Sequence, residues 1–395
     1  MNWTTYQLRA DHNAVMTLPT LIDAWTFDTH ARLNGGFAIG GDTVYANTFA
    51  PSVLALRIDD GTLKWQTAVD NVVMSTPILA EGEVFVGTGT NHHLSHTKWG
   101  RPEGDRVFAL DAADGHVRWS FKTVGEDMPS PVYVQGRVIF ANGDSHAYAL
   151  DARSGKLLWR TGLNGISTMA SATTDGRNVY LPTCTLQSFP GVTTVVDVRS
   201  GAVRWRTPYG NCDSSPTLAG NRVFLSGIRL RRSSFGYGYT ANVAAVDAVS
   251  GRLRWTYETP DVGYSSTFVS SERAVAGTFA GGTYFQSIPT HDRLVAFDAA
   301  TGRVRWSLRT LAPVKMSPVV HNGFLYAGDT SGCFYSIEAR TGTLRRVTTF
   351  NAPFSTSPPV MVNNALLVAV GSTIRVLPLQ GNLVSADMPQ RPDHG

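Results

Sequence analysis

Apolar and polar residues alternate with a period of two along most of this chain, in short runs broken by Gly, Asp and Pro. That is the pattern of half-buried β-strands; the 3.6-residue stripe of an amphipathic helix is not sustained anywhere. Val107-Phe108-Ala109-Leu110 shows the alternation and what ends it: Asp111, then Gly115, then Trp119. The same order returns at Ile58-Asp59 with Gly61 and Trp65, and at Leu150-Asp151 with Gly155 and Trp159. It recurs at Val196-Asp197 with Gly201 and Trp205, at Val246-Asp247 with Gly251 and Trp255, and at Phe297-Asp298 with Gly302 and Trp306. A seventh copy carries Glu338 and Arg346 around Gly342, and an eighth is degraded to Leu377-Pro378-Leu379-Gln380-Gly381. Each copy reads as a hairpin. The carboxylate accepts from backbone amides two residues on, Gly takes a positive φ, and a second strand returns carrying the indole.

Upstream of each hairpin lies another strand pair. Ser75-Thr76-Pro77-Ile78-Leu79, Glu81-Gly82 and Val84-Phe85-Val86-Gly87 form one, with related starts at Ser130-Pro131, Ser215-Pro216 and Ser317-Pro318. Four strands, A to D, thus recur at a period of roughly 40 to 54 residues, which predicts an all-β, eight-bladed β-propeller of four-stranded antiparallel blades. The turn glycines mark eight C strands, but only seven D strands follow them. The eighth is expected at the start, where Leu21-Ile22-Asp23-Ala24-Trp25-Thr26-Phe27 has no C strand before it. Pairing it with the strand near Thr373 to Leu379 would remove an open sheet edge. One domain is expected over residues 1–381, with a tail at 382–395. Its blades fall at 35–68, 74–123, 128–163, 168–208, 213–258, 264–309, 315–350, and 355–381 plus 21–28. The tryptophans anchor blades in this reading, each burying ~150–250 Å² between sheets.

These hairpins, with Ser before Pro at the first strand, resemble the PQQ-like (pyrroloquinoline quinone) propeller repeat over residues 3 to 381. Trp3, Tyr6, Arg9, Asp11 and Trp25 also resemble the start of such chains. That family includes quinoprotein alcohol dehydrogenases, the outer-membrane assembly lipoprotein BamB and sensor domains of bacterial protein kinases, so the resemblance implies a fold rather than one function. Its quinoproteins carry PQQ above a Trp floor, with calcium, a catalytic Asp and an adjacent Cys-Cys disulfide. No two cysteines are adjacent here and no Cys-x-x-Cys-His haem site is present, so no cofactor is expected and PQQ is disfavoured. The resemblance favours an extracytoplasmic location, although Met1 to Asp11 shows no apolar core of a signal peptide.

Composition narrows the partners. Hydrophobic residues make up 43% of the 395 positions, enough for a large core. No apolar stretch reaches the ~18 residues of a membrane span. The net charge of +4 comes from Arg, since only Lys64, Lys98, Lys122, Lys156 and Lys315 are lysines. The densest basic group is Arg229, Arg231 and Arg232, far short of the broad stripe that nucleic acid requires. Of the three cysteines, Cys184 and Cys212 fall on one face in adjacent blades and could pair outside the cytosol. Cys333 reads as a small buried apolar residue.

Candidate chemistry follows from which connections are long. In a four-stranded blade the D–A and B–C connections share one face, and the A–B and C–D turns share the other. Long B–C loops are expected at 88–106, 183–192, 228–241 and 279–293, and long loops on a rigid scaffold are where binding concentrates. Residues leading into the A strands should ring the channel mouth. These are Arg32 or Asn34, Met74, Asp127 and Met128, Thr168 and Met169, Cys212 and Asp213, Tyr264, Lys315 and Met316, and Phe354. Asp127, Asp213, Lys315 and Tyr264 are the acid–base candidates; the alternative is that the charged ones pair with one another or hold water. His92, His93 and His96 could bind zinc or simply hydrogen-bond in a solvated loop beside Trp99. Tyr237, Tyr239, Tyr284 and Phe285 could wall an apolar pocket or pack loop on loop. Three functions compete. The first is a BamB-like binding or scaffold module holding a protein partner on the long-loop face. The second is a cofactor-independent enzyme, cyclase-like or otherwise carbon-bond-forming, acting on a small organic molecule in the funnel. The third and least favoured is a PQQ-dependent dehydrogenase.

Overall fold

Asp111 shows how the repeated hairpin is made. Its Oδ1 accepts the Ala113 N–H at 2.8 Å, and its carbonyl accepts the Gly115 N–H at 2.9 Å. Gly115 takes φ +76°, the chain reverses, and Val117–Lys122 pairs antiparallel with Arg106–Asp111. Asp151, Asp197, Asp247 and Asp298 build the same turn, each accepting the backbone N–H three residues on at 2.9 Å. An arginine seven positions later holds the outer carboxylate oxygen in four blades: Arg118, Arg204, Arg254 and Arg305. Glu338 and Arg345 repeat the pair at 2.7 Å. These contacts, the Arg305 guanidinium first, hold the Asp298 carboxyl down at about 2.

The coordinates are a computed structural model that describes residues 8–18, 23–33, 35–89, 105–125, 129–167, 169–184, 191–211, 214–233, 236–259, 262–263, 277–288, 292–363 and 365–379. Eight sheets result, each with a four-stranded blade at its core. The A strands lie side by side around the axis: Ala38–Gly40, Ile78–Ala80, Val132–Val134, Thr173–Thr174, Thr217–Ala219, Thr278–Ala280, Val319–His321 and Val360–Val362. The B and C strands are buried on both faces, and the D strands alternate outward at the rim. Closure is as expected: Trp25–Asp28 supplies the outer strand of blade 8, with Trp25 opposite Val376 and Phe27 opposite Ile374. An addition not expected from the sequence is Val15–Met16, which pairs in parallel with the axial side of Val360–Val362.

Register corrects two alignments. Thr43 faces Arg57 as Arg137 faces Asp151, so Arg57, not Asp59, occupies the repeat carboxylate's position in blade 1. Asp59 then serves as its counter-ion at 2.6 Å. In blade 8, Ala365 faces Pro378, which places Pro378 at that position and moves the turn glycine's position from Gly381 to residue 382, outside the described residues.

Blade-to-blade packing follows one rule at seven seams. The indole of each D strand lies on the turn glycine of the next blade, and its Nε1 donates to the carbonyl three residues before that glycine. The pairs are Trp25 to Ile58, Trp65 to Ala112, Trp119 to Ala152, Trp159 to Val198, Trp205 to Ala248, Trp255 to Ala299 and Trp306 to Ala339, at 2.7–3.2 Å. A Cβ on Gly155 would stand 2.7 Å from the Trp119 ring, so the residue must be small as well as able to hold φ +67°.

Candidate functional site

Two of the four expected B–C loops, in blades 5 and 6, are largely strand, whereas 90–104 and 185–190 in the other two lie outside the described residues. In blade 5 the expected 228–241 loop is an extension of two strands, Arg222–Ser233 and Gly236–Asp247, in unbroken register from Arg222 opposite Asp247 to Ser233 opposite Gly236. The pairs beyond Gly227 project roughly 20 Å from the blade at a strand rise of about 3.3 Å per residue. Val262–Gly263 pairs with Gly238 and Tyr239 along one side of this ribbon. The other side, Ile228–Ser233, which continues the edge where the A strand pairs, has no strand partner among the described residues. Tyr237 and Tyr239 stand in the ribbon. In blade 6 the expected 279–293 loop is mostly a hairpin, with Phe279 in the A strand and Tyr284 and Phe285 in the B strand. Tyr284 is fully buried, stacks on Phe224 at 4.4 Å, and donates its hydroxyl to Gln286 Oε1 at 2.6 Å. Phe285 packs on Trp306. Both belong to the core and do not wall a mouth.

The approaches to the A strands are tied together by hydroxyls. Gly36 N–H donates to Thr76 Oγ1 at 2.7 Å, Thr76 N–H to Ser130 Oγ at 2.7 Å, Ser130 N–H to Ser171 Oγ at 3.1 Å, and Ser171 N–H to Ser215 Oγ at 2.8 Å. Three of these acceptors, Thr76, Ser130 and Ser215, stand directly before proline and the fourth, Ser171, before Ala172, so the hydroxyl at this position serves as an inter-blade acceptor. Of the mouth candidates, Met316 is buried and its Sδ accepts the Gly328 N–H at 3.1 Å. Phe354 is buried against Phe334 and Phe350 at 5.2 and 5.3 Å. Met74, Met169 and Lys315 are half-buried. Asp127, Met128, Cys212, Asp213, Tyr264, Trp99, His92, His93 and His96 lie outside the described residues. Among those described, no group of three or more His, Cys, Asp or Glu could hold a metal ion. Cys184 is buried and disulfide-bonded, and Cys333 is free.

The N-terminal segment lies against the axial strands. The Leu218 N–H donates to the Ala10 carbonyl at 2.7 Å, Phe279 to Asp11 at 3.0 Å, Met361 to Ala14 at 2.8 Å and Asn363 to Met16 at 2.9 Å. Val320 N–H reaches Asn13 Oδ1 at 2.8 Å. Residues 10–16 thus sweep past the inner strands of blades 5 to 8. His12 is the pivot, fully buried, with Nε2 at 3.3 Å from Thr173 Oγ1 and Nδ1 at 3.2 Å from Thr217 Oγ1. Those hydroxyls already donate to the Pro216 and Gly277 carbonyls at 2.7 and 2.8 Å, so toward His12 they can only accept. A neutral imidazole has one N–H to give. A cation would satisfy both, but burial drives the ring down to about 3, so it stays neutral. No pattern of alternation marks this segment, and the sequence reading, which used Asp11 only for a family resemblance, passed over the rest of it. It also passed over Asp329, fully buried, whose Oδ2 takes the Tyr335 hydroxyl at 2.6 Å and whose Oδ1 takes the Cys333 and Ser331 N–H groups. With those donors in place it caps a turn.

A tetrathionate hydrolase from Acidithiobacillus ferrooxidans is 22% identical over 84% of this chain and 69% of its own length. The outer membrane protein assembly factor BamB of Yersinia pestis is 23% identical over 87% of this chain and 70% of its own. A europium-containing methanol dehydrogenase superposes with a TM-score of 0.68 at 14% identity, covering 94% of this chain and 90% of that one, a likeness of fold alone. Three overlapping stretches, 22–225, 148–313 and 239–387, match the family described as outer membrane protein assembly factor BamB. Eight blades, seven indole seams and these matches agree: the chain belongs to the BamB-like branch of the PQQ-like propellers.

Proposed function

We propose that this chain is a non-catalytic binding propeller that holds a protein partner on its B–C face, with the blade 5 ribbon as the principal contact element. The observation that carries this is the ribbon itself. Two paired strands run on in register past Gly227, and the Ile228–Ser233 side has no strand partner among the described residues. An exposed strand side of this kind recruits an extended peptide by main-chain hydrogen bonding. A disulfide at Cys184 fits an oxidising compartment, in keeping with an extracytoplasmic role.

The test is in the native host. A photo-crosslinking residue at position 237 should capture a defined partner, and a chain whose residues 229–239 are replaced by an Asn-Gly turn should lose it while melting at the same temperature. Retention of the partner by the shortened chain sinks the proposal. The hydrolase among the relatives keeps an enzymatic reading in play, in which Asp127, Asp213, Lys315 and Tyr264 act on a small organic molecule in the funnel. Under that reading Asp213→Asn and Lys315→Ala abolish turnover without loss of stability, and wild-type turnover in both dismisses it.

A further inference from the structure

One seam breaks the indole rule. Between blades 7 and 8 the D-strand position is Arg346, which faces Ser336 as Trp306 faces Ala296. In five blades a B-strand residue packs on its own blade's indole: Tyr45, Phe85, Tyr180, Phe224 and Phe285, with centroids at 5.8–5.9 Å. Tyr326 holds that place in blade 7, since it faces Val319 as Phe285 faces Thr278. No indole packs against it among the described residues. A cleft of about 260 Å³ opens there, lined by Tyr326, Phe334, Arg346, Phe350, Leu366 and Leu377 among others.

The cleft's chemistry is specific. Its walls are mostly aromatic and aliphatic, with Ser336 and Thr348 beside Arg346, and no carboxylate is among the described residues that line it. Arg346 is half-buried and has no hydrogen-bond or ion-pair partner among the described residues. A second guanidinium, Arg375, sits 5.6 Å from the ring centroid of Phe350, one of the lining residues. A slot at a seam whose own D strand carries no indole, bordered by a guanidinium with no ion-pair partner among the described residues, matches a flat apolar body carrying one negative charge.

We propose that the blade 7–8 cleft is a binding site for a small aromatic carboxylate, its ring packed beside Tyr326 as an indole packs beside the B-strand aromatic in other blades, and its carboxylate paired with Arg346. The site is on the rim between two blades, separate from the B–C face, so it stands or falls independently of the partner-binding reading.

The test is calorimetric titration of the full chain with indole-3-acetate, with neutral indole as the control. Wild type should bind the acid, and indole should bind about tenfold more weakly, the loss expected for one charge-assisted contact. Arg346→Gln should erase that preference. Arg346→Trp should fill the slot, abolish binding and raise the melting temperature. A full-length chain with residues 382–395 replaced by Gly and Ser should bind as wild type does. No binding by wild type, equal binding of acid and indole, or retained binding in Arg346→Trp each overturns the proposal. Binding that appears or tightens about tenfold or more only when the tail is replaced also overturns it, and assigns the cleft to the chain's own C-terminal segment.

Discussion

Trp25 lies flush against Gly61: a Cβ built on that glycine would stand 2.6 Å from the indole Cε3, while the indole Nε1 donates to the Ile58 carbonyl at 2.7 Å. This contact joins the chain's early outer strand to blade 1 at the seam where the ring closes. Trp25→Ala should cost roughly 3–5 kcal/mol, the range for deleting a large packed ring. Trp25→Phe should cost less, since it keeps an aromatic ring but forfeits a hydrogen bond worth ~1 kcal/mol. Urea unfolding measures both; a Trp25→Ala chain unfolding with the wild type would refute the seam's role.

The hydroxyl chain at the A strands makes its own prediction. Ser130→Ala removes the acceptor of the Thr76 N–H and leaves that buried donor unmet, at a cost of about 1–3 kcal/mol. Ser130→Thr restores an oxygen and should recover part of the loss. Equal stability of the alanine variant and wild type counts against the chain.

His12 predicts acid sensitivity above the range where carboxylates titrate. Its pKa falls from 6.5 to about 3 in the fold because burial disfavours the cation. Between those values the unfolded chain carries a proton that the folded chain does not, so stability is full above pH 6.5 and declines as the pH falls. The slope is about 1.4 kcal/mol per pH unit. Asp298 acts lower, below the ordinary carboxylate value and down to about 2. His321 shifts in the same direction as His12, so the comparison is between wild type and His12→Gln. The variant should lose most of the slope between pH 6 and 4.5 in guanidinium unfolding. An unchanged slope rules out the buried imidazole as the source.

Cys184 is bonded and Cys333 is free, and the third cysteine is Cys212. Peptide mapping without reductant should recover a Cys184–Cys212 cross-link, and Cys212→Ser should lower stability by ~2–4 kcal/mol. Recovery of both as free thiols would contradict it.

The ring was legible because each blade repeats its own chemistry: a carboxylate, a glycine and an indole at fixed spacing report a turn and a seam together. Counting those units even revealed the displaced outer strand at Trp25. Arg57 and Pro378 escaped notice because register, not residue type, defines their positions. The candidate site was harder to read. Tyr284 and Phe285 looked like loop aromatics because the short A strand before them, Thr278–Ala280, is broken only by two glycines. The blade 5 ribbon looked like a loop because Gly and Ser interrupt its alternation. His12 gave no signal, since its partners are threonines more than 160 residues away.

Residues 10–16 rest on inner strands of blades 5 to 8, and Trp25–Asp28 completes the last sheet. Val15–Met16 and Trp25–Asp28 therefore have no strand to pair with until blade 8 has been made. During synthesis the opening stretch must wait, unpaired, while successive blades assemble beside one another. Only then can it lie along the axis and latch the circle. Such long-range pairing makes the final step slow. Assembly of this molecule is thus ordered by where its earliest residues come to rest, and a chain cut short within blade 8 would have its first strand with no place to go.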